Sequence, residues 1–390
     1  MSNNWNVVPF TEAVDICDTF RKPINSSERA SRIKGKEQSE LYPYYGATGQ
    51  VGFIDDYITD GEYVLLGEDG APFLDAFSNK AYIISGKTWV NNHAHVLRSK
   101  TNNKFLCYYL NSFNYKGYVS GTTRLKLTQA EMKRIPVPVP PLSEQERIVS
   151  RIEELFSQLD AGVETLKKTK AQLAVYRQAV LKEAFESVIP ESDTCNVEDV
   201  CKDIKVGIVI KPAQYYTSAD VGVRAFRSAN VREFAVNDSD WVYLTKSGHE
   251  ANLRSEIHTG DVLVVRSGYP GTACVVPPTY NGCNAIDILI AVPYAEKILP
   301  EYLCAYTNSP LGKRIIQEKK RGVAQAHFNV SGYSKTPIIV PCLETQKRVV
   351  AEIDSRLSVC DSIEQTVDTA LQQAEAMRQS ILKDAFEGRL

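Results

Sequence analysis

No uninterrupted apolar run in this sequence approaches the roughly 20 residues that a helix needs to cross a bilayer, which excludes a helical membrane span. Charge of one sign is also missing. Forty-five basic and 47 acidic side chains leave a net charge of −2, so nothing in the total draws the chain toward nucleic acid or an anionic surface. Nine cysteines run from Cys17 to Cys360 without one Cys-x-x-Cys pair. That spacing suits reduced small hydrophobes rather than a disulfide frame or a metal site, and no metal is expected. There is no glycine-rich cofactor loop and no Asn-Pro-Pro-Tyr or Asp-Pro-Pro-Tyr for amino-group methylation, so no cofactor and no catalytic site is expected either. The nearest approach is "AYIISGKT", Ala81 to Thr88. Its middle residues spell a strand instead of a loop whose amides could surround phosphate, which excludes a P-loop. His93 and His95 lack a third ligand and read as strand residues with both rings on one face. The opening "MSNNWNVVPF" has no basic stretch leading into an apolar core, so the expected location is the cytoplasm.

What the sequence does contain is itself, twice. Shifted by 201 residues, Val139–Ser187 aligns with Val340–Gly388 without a gap, and 18 of the 49 pairs are identical. Leu142 meets Leu343, Gln145 meets Gln346, Arg177 meets Arg378, and "LKEAFES" from Leu181 meets "LKDAFEG" from Leu382. Upstream, "GTTRLKLT" from Gly121 lies over "GVAQAHFN" from Gly322, and "FLCYYLNS" from Phe105 resembles "YLCAYTNS" from Tyr302. A globular unit therefore precedes each repeated segment.

The repeated segments read as long helices. In the first, Ile152, Leu159, Leu166, Leu173 and Val180 recur every seven residues, with Ile148, Leu155 and Tyr176 half a heptad away. The copy carries Ile353, Cys360, Val367, Ala374 and Ile381, with Arg356 breaking the apolar pattern, so looser packing is expected there. Ser143 and Glu146 have capping-box spacing directly after "PVPVPP". A helix from about Ser143 to Glu186 would be roughly 65 Å long and needs a partner of equal length. Antiparallel pairing of the two copies meets that need within one chain. It predicts two globular units at opposite ends of a rod, related by a pseudo-two-fold axis.

Both units read as mixed α and β. Glu62–Leu66, Lys80–Ser85 and His95–Arg98 suit strands, and Asn103–Phe113 suits a helix. In the second unit "GDVLVVRSG" and "ACVVP" suit strands, with one helix near Pro300 to Lys319. "RASRIKGK" and "LYPYYGATG" read as irregular surface. The acidity sits on the helices, with 13 basic against 17 acidic residues, whereas basic clusters mark the globular units. "RSKTNNK" from Arg98 has no acid, and "KRIIQEKKR" from Lys313 nets +4. Such patches can grip phosphates while the total stays near neutral.

A duplicated unit followed each time by a segment of the "VPVPPLSEQERI" type and a long helix ending in "LKEAF" resembles the specificity subunit of type I restriction-modification systems. "YPYYGATG", "FRSANV" and "GDVLVVRSG" resemble stretches of its target-recognition domains. The resemblance implies an α+β fold. It has target-recognition domains at 1–140 and 189–340 and conserved helices at 141–188 and 341–390, the helices forming an intramolecular antiparallel coiled coil. It implies a non-catalytic reader of an asymmetric, interrupted sequence in double-stranded DNA. The implied partners are methyltransferase subunits, two of them, and restriction or translocase subunits, with no membrane. Side chains able to make paired hydrogen bonds to base edges are the candidate readers. They are Tyr45, Asn91, Asn92, Arg124 and Lys126 in the first unit, and Arg227, Asn230, Arg266, Tyr269 and Gln325 in the second. Charge alone nominates Arg98, Lys100, Lys319, Lys320 and Arg321 for phosphates. The alternatives are a specificity subunit of a related combined restriction and modification enzyme outside type I, an adaptor displaying two ligand-binding domains, and an enzyme whose site escapes motif reading.

Overall fold

The structure, a computed structural model, describes residues 5–321 and 328–390, with backbone alone at Glu191 and over 319–321. The chain divides into two compact units, Met1–Lys167 with Val367–Leu390, and Lys168–Thr366. Each unit holds part of both long helices, Leu142–Glu186 and Leu343–Phe386.

In the first unit a four-stranded antiparallel sheet runs in the order Val14–Ile16, Ala94–Ser99, Tyr63–Gly67, Ala81–Ile84. The strand Tyr63–Gly67, "YVLLG", is buried throughout, because alternate side chains leave opposite faces and both faces are covered. Val64 and Leu66 pack with Phe10, Leu106, Leu110 and Tyr115, while Tyr63 and Leu65 pack with Ile84, Val90 and Val96. A second sheet runs Gln50–Ile54, Tyr42–Tyr45, Lys87–Val90, Thr59–Asp60, with one parallel junction, between Tyr42–Tyr45 and Lys87–Val90. Asn6–Pro9 pairs with Pro136–Val139 at the entry to the first long helix.

The second unit repeats this plan. Its main sheet runs Cys201–Val206, Ile288–Pro293, Val262–Val265, Ala273–Val275, all antiparallel. Val262 and Val264 face the cluster that includes Tyr302 and Phe185, and Leu263 and Val265 face the one that includes Phe226 and Tyr280. The smaller sheet runs Tyr216–Thr217, Val242–Leu244, Val223–Phe226, Asn284–Ala285, again with one parallel junction. Asp193–Asn196 pairs with Pro337–Val340 before the second long helix.

The repeat is also a repeat of hydrogen bonds. Asn111 accepts from the Ala81 N–H at 3.0 Å and donates to the Ala81 carbonyl at 2.8 Å. Asn308 does the same to Ala273, at 2.9 and 2.8 Å. Tyr109 donates to the Pro136 carbonyl and Tyr306 to that of Pro337. Gln145, buried, donates to the Pro140 carbonyl at 2.9 Å and accepts from Thr101 Oγ1. Gln346, buried, donates to the Pro341 and Lys297 carbonyls and accepts from the Leu299 N–H. The "LKEAF" ends close the set. Phe386 packs edge-on against Phe105 and Tyr109, and Phe185 against Tyr302 and Tyr306.

Within each unit the long helices run antiparallel. In the first, Ile152 clusters with Leu382 and Ala385, and eight residues on Asp160 pairs with Arg378. In the second, Arg177 pairs with Asp361 at 2.6 Å and Arg356 with Glu183 at 3.0 Å. Asp160–Arg378 and Asp361–Arg177 are the same pair in the two copies. Of the expected seam, Ile152, Leu173, Val180, Ile353, Cys360, Val367 and Ala374 are buried, and Leu159, Leu166 and Ile381 are half-buried. Arg356 does not loosen its neighbourhood. It lies over the Tyr176 ring, 5.5 Å from the centroid, and Leu357 and Cys360 beside it are buried.

Five local expectations are corrected. The first long helix starts at Leu142, so Ser143 lies inside it and is not its cap, and the Glu144 and Gln145 N–H groups donate to the Pro141 carbonyl. The helix expected from Pro300 to Lys319 breaks into Pro300–Asn308 and Pro310–Arg321. Ser309, held extended by the following proline, caps the second piece by accepting from the Gly312 N–H at 3.1 Å. "RASRIKGK" is not irregular: Asn25 caps a helix over Ser26–Ile33 by accepting from the Glu28 N–H. "YPYY" is a strand, Tyr42–Tyr45, with Tyr44 buried. His93 sits in the turn before the strand that holds His95, and the two rings face different carboxylates, Asp69 and Asp18.

Candidate nucleic-acid interface

The five candidate readers of the first unit come together at one end of its main sheet. The Asn91 N–H donates to the Tyr45 carbonyl at 3.1 Å, and Asn91 Oδ1 accepts from the His93 N–H at 2.8 Å. The Glu68 N–H in turn donates to the His93 carbonyl, tying the loop after Gly67 to the same place. A hairpin closed by reciprocal bonds between Ser120 and Lys126 brings in Arg124 and Lys126. Arg124 Nη2 donates to Asp69 Oδ1 at 2.8 Å, His93 Nδ1 lies 2.7 Å from the same oxygen, and Lys126 Nζ is 3.3 Å from Glu68. Beneath them Arg21 pairs with Glu68 and with Asp18 at 3.1 Å. Burial pushes the Asp18 carboxyl up, but bonds from His95, the Val96 N–H and Gln129 outweigh it and hold the group below the usual carboxylate range.

These residues divide by exposure. Asn91 is buried and shapes its turn, and Tyr45 is half-buried against the Tyr82 ring. Asn92, Arg124 and Lys126 face solvent. The cations lean on carboxylates through partly exposed pairs of modest strength, which phosphate oxygens or base acceptors can replace. Arg98 and Lys100 are not part of this group. They lie at the far end of strand Ala94–Ser99 and beyond it, roughly 20 Å away at 3.3 Å per residue. Arg98 covers the Tyr63 ring at 4.6 Å, and Lys100 donates to the Thr11 carbonyl at 3.0 Å.

In the second unit Tyr269, 85% exposed, stands at a cavity of about 840 Å³ lined also by Ser228, Arg232, Ser267, Lys313 and Gln317. Arg227 and Arg266 adjoin this wall in sequence and pair with Asp240 at 3.1 Å and Asp287 at 3.3 Å. The Nε of each is buried with no partner among the described residues. Asn230 is wholly buried. It accepts from the Arg227 N–H and donates to the Ser239 and Asn237 carbonyls, so its amide holds the loop together. Gln325 lies outside the described residues, as do the side chains of Lys319, Lys320 and Arg321.

Sequence reading missed the carboxylates Glu68, Asp69 and Asp287 that orient the cations, and the cavity residue Arg232, while Lys313 and Gln317 lie in the basic stretch it singled out without being named as contacts. One available signal was the glycine-containing loop after a buried strand, "GEDG" in one unit and "RSGYPG" in the other. Among the described residues, no group of His, Cys, Asp and Glu is arranged to hold a metal ion, and no helix is long and apolar enough to cross a membrane.

Residues 4–174 match the family model of the type I restriction modification DNA specificity domain. A protein of Haemophilus influenzae named as a type I restriction enzyme specificity subunit is 28% identical over 94% of this chain and 91% of its own length. The EcoBI specificity subunit of Escherichia coli is 25% identical over 92% of this chain and 79% of its own. The fold matches a chain from a solved structure of complex assembly and conformational transition in the type I R-M system, with a TM-score of 0.73, 17% identity, and coverage of 100% of this chain and 99% of the other. It also matches the HsdS subunit of Thermoanaerobacter tengcongensis, at a TM-score of 0.54 and 16% identity over 100% and 98% of the two chains. With its duplicated scaffold, a domain match over residues 4–174 and relatives along nearly its whole length, this chain is similar to the type I restriction-modification specificity subunits.

Proposed function

We propose that the chain is the DNA-reading, non-catalytic subunit of a restriction and modification complex in the cytoplasm. Residues 1–140 and 189–340 each read one half of an interrupted, asymmetric target in double-stranded DNA. The helical segments 141–188 and 341–390 set the spacing of the halves and dock two methyltransferase subunits and the restriction subunits. The observation that carries this reading is the pairing of a scaffold whose key hydrogen bonds recur in both units with neighbouring loops that differ. Asn111 and Asn308 make the same pair of bonds to Ala81 and Ala273, yet the neighbouring loops carry Arg124, Lys126 and Asn92 in one unit and Arg227, Arg266 and Tyr269 in the other. Equal frames with unequal reading edges suit two unlike half-sites. The net charge of −2 is no obstacle, since the cations gather on the loops and the acids on the helices.

Mapping methylated bases in DNA from a host that carries this chain with its modification partner tests the proposal. One interrupted motif with unlike halves is expected, and the purified complex should bind it with an affinity that falls steeply as salt rises. Methylation without a shared motif, or binding indifferent to salt, would refute the reading and favour an adaptor. Methyl transfer by the chain alone would refute its non-catalytic part.

A further inference from the structure

At one loop the two units keep the same backbone plan and exchange the charges it carries. Strand Tyr63–Gly67 leads into Glu68 and Asp69, and strand Val262–Val265 leads into Arg266. The equivalence rests on hydrogen bonds: the Leu127 N–H donates to the Glu68 carbonyl at 2.7 Å, and the Phe328 N–H to that of Arg266 at 3.1 Å. Leu127 and Phe328 are 201 residues apart, the offset of the repeat. Strand registers extend the match. Gly67 faces Ala94 and Val265 faces Ile288, so the preceding residues, His93 and Asp287, also correspond.

One arrangement survives the exchange, an arginine braced by an aspartate. In the first unit the aspartate follows the strand and the arginine comes from the neighbouring hairpin, Arg124 to Asp69. In the second the arginine follows the strand and the aspartate stands before the return strand, Arg266 to Asp287. In the first pair the guanidinium is the outer member, 61% exposed against 24% for its carboxylate, whereas in the second the carboxylate is, 40% against 15% for Arg266. Gly70, at φ +71°, keeps the space clear: a Cβ there would come within 3.1 Å of Arg124 Nε. Each brace engages one Nη, and among the described residues the other donors of either fork make no further hydrogen bond. A fork already oriented by a carboxylate loses less freedom on binding, and its geometry matches the O6 and N7 acceptors of guanine.

We propose that Asp69 and Asp287 are positioning residues that aim Arg124 and Arg266 each at a guanine, one in each half of the target. The inference rests on the DNA-reading function proposed above and adds one base to each half. A phosphate contact would need only the positive charge, whereas guanine needs the oriented fork.

The test uses the complex with its modification partner and duplex libraries randomised one position at a time across the mapped motif. Asp69→Asn should lower the preference for guanine at one position of one half roughly tenfold, within the range of a lost paired base contact. Asp287→Asn should do so in the other half. Arg124→Lys, which keeps charge and loses the fork, should reproduce the Asp69→Asn effect. The salt dependence of binding and the thermal unfolding midpoint should stay as in the parent, and Asp69→Glu should recover part of the preference. Unchanged base preference in both aspartate variants would overturn the inference while leaving the DNA-reading function intact. Loss spread evenly over all positions, as a folding defect gives, would overturn it too. A parent complex with no base preference at all would overturn the function on which the inference rests.

Discussion

The first unit fixes its sheet to its helices through Asn111, Tyr109, Gln145 and Phe386, and the second through Asn308, Tyr306, Gln346 and Phe185. A few residues away, Glu68 and Asp69 of one unit give way to Arg266 of the other. The contrast has a physical cause. A buried polar group that loses its partner costs about 1–3 kcal/mol, so Asn111 or Gln346 can change only together with everything it bonds. A half-exposed ion pair contributes at most about 1 kcal/mol, so loop charges exchange at little cost to stability. Divergence therefore gathers where side chains meet solvent, which is also where they can meet DNA.

That comparison can be broken or sharpened at several points. The largest effect is expected from the helices. Seven residues inserted in both, after Lys167 and after Thr366, keep the heptad and add roughly 10 Å to each. Methylation mapping should then show the original motif lost and a new one with the same halves and a gap longer by about three base pairs, at 3.4 Å each. Next come the aromatic anchors. Phe185→Ala should destabilise the second unit by about 3–5 kcal/mol. Phe386→Ala should cost the first unit less, because Phe185 is wholly buried and Phe386 half-exposed. Urea unfolding followed by tryptophan fluorescence separates the two, since Trp241 lies in the second unit and Trp5 and Trp89 in the first.

Smaller again is the difference between the glutamines. Gln346→Ala removes three bonds and Gln145→Ala two, so the former should cost more, both within about 1–3 kcal/mol in the same unfolding experiment. The smallest effect concerns acid. Burial raises the Asp18 carboxyl, and bonds from His95, Val96 and Gln129 lower it further than burial raises it. Its folded value therefore lies below the unfolded one, near 3.9. The stability it contributes is complete above that unfolded value and is lost as pH falls through the lower folded one. Asp18→Asn should flatten that part of the acid unfolding curve of the first unit.

How much of this was legible depends on where each residue gets its information. The heptad of Ile152 to Val180 and its copy are written in local periodicity, and the seam emerged with three of its ten residues half-buried. The pairing of Gln145 with Gln346 was visible as identity, but not the role, because each amide bonds a carbonyl just upstream together with groups more than 40 residues away. Ser143 misled because the helix begins one residue before it, at Leu142, and the Pro141 carbonyl receives the Glu144 and Gln145 N–H groups. The helix over Ser26–Ile33 was missed because its cap, Asn25, lies outside the basic stretch that drew attention. The exchange of Glu68 and Arg266 could not be aligned at all. The loops from "GEDG" to Ala81 and from "RSGYPG" to Ala273 differ in length, and only strand register shows which residues correspond.

The most direct test of the central claim, that each unit reads its own half, is an exchange. Residues 1–140 are replaced by the corresponding segment of another specificity subunit, the hybrid is assembled with its modification partner, and methylated bases are mapped. One half of the motif should change while the other half and the gap stay as they were. A change in both halves, or in neither, would contradict the account.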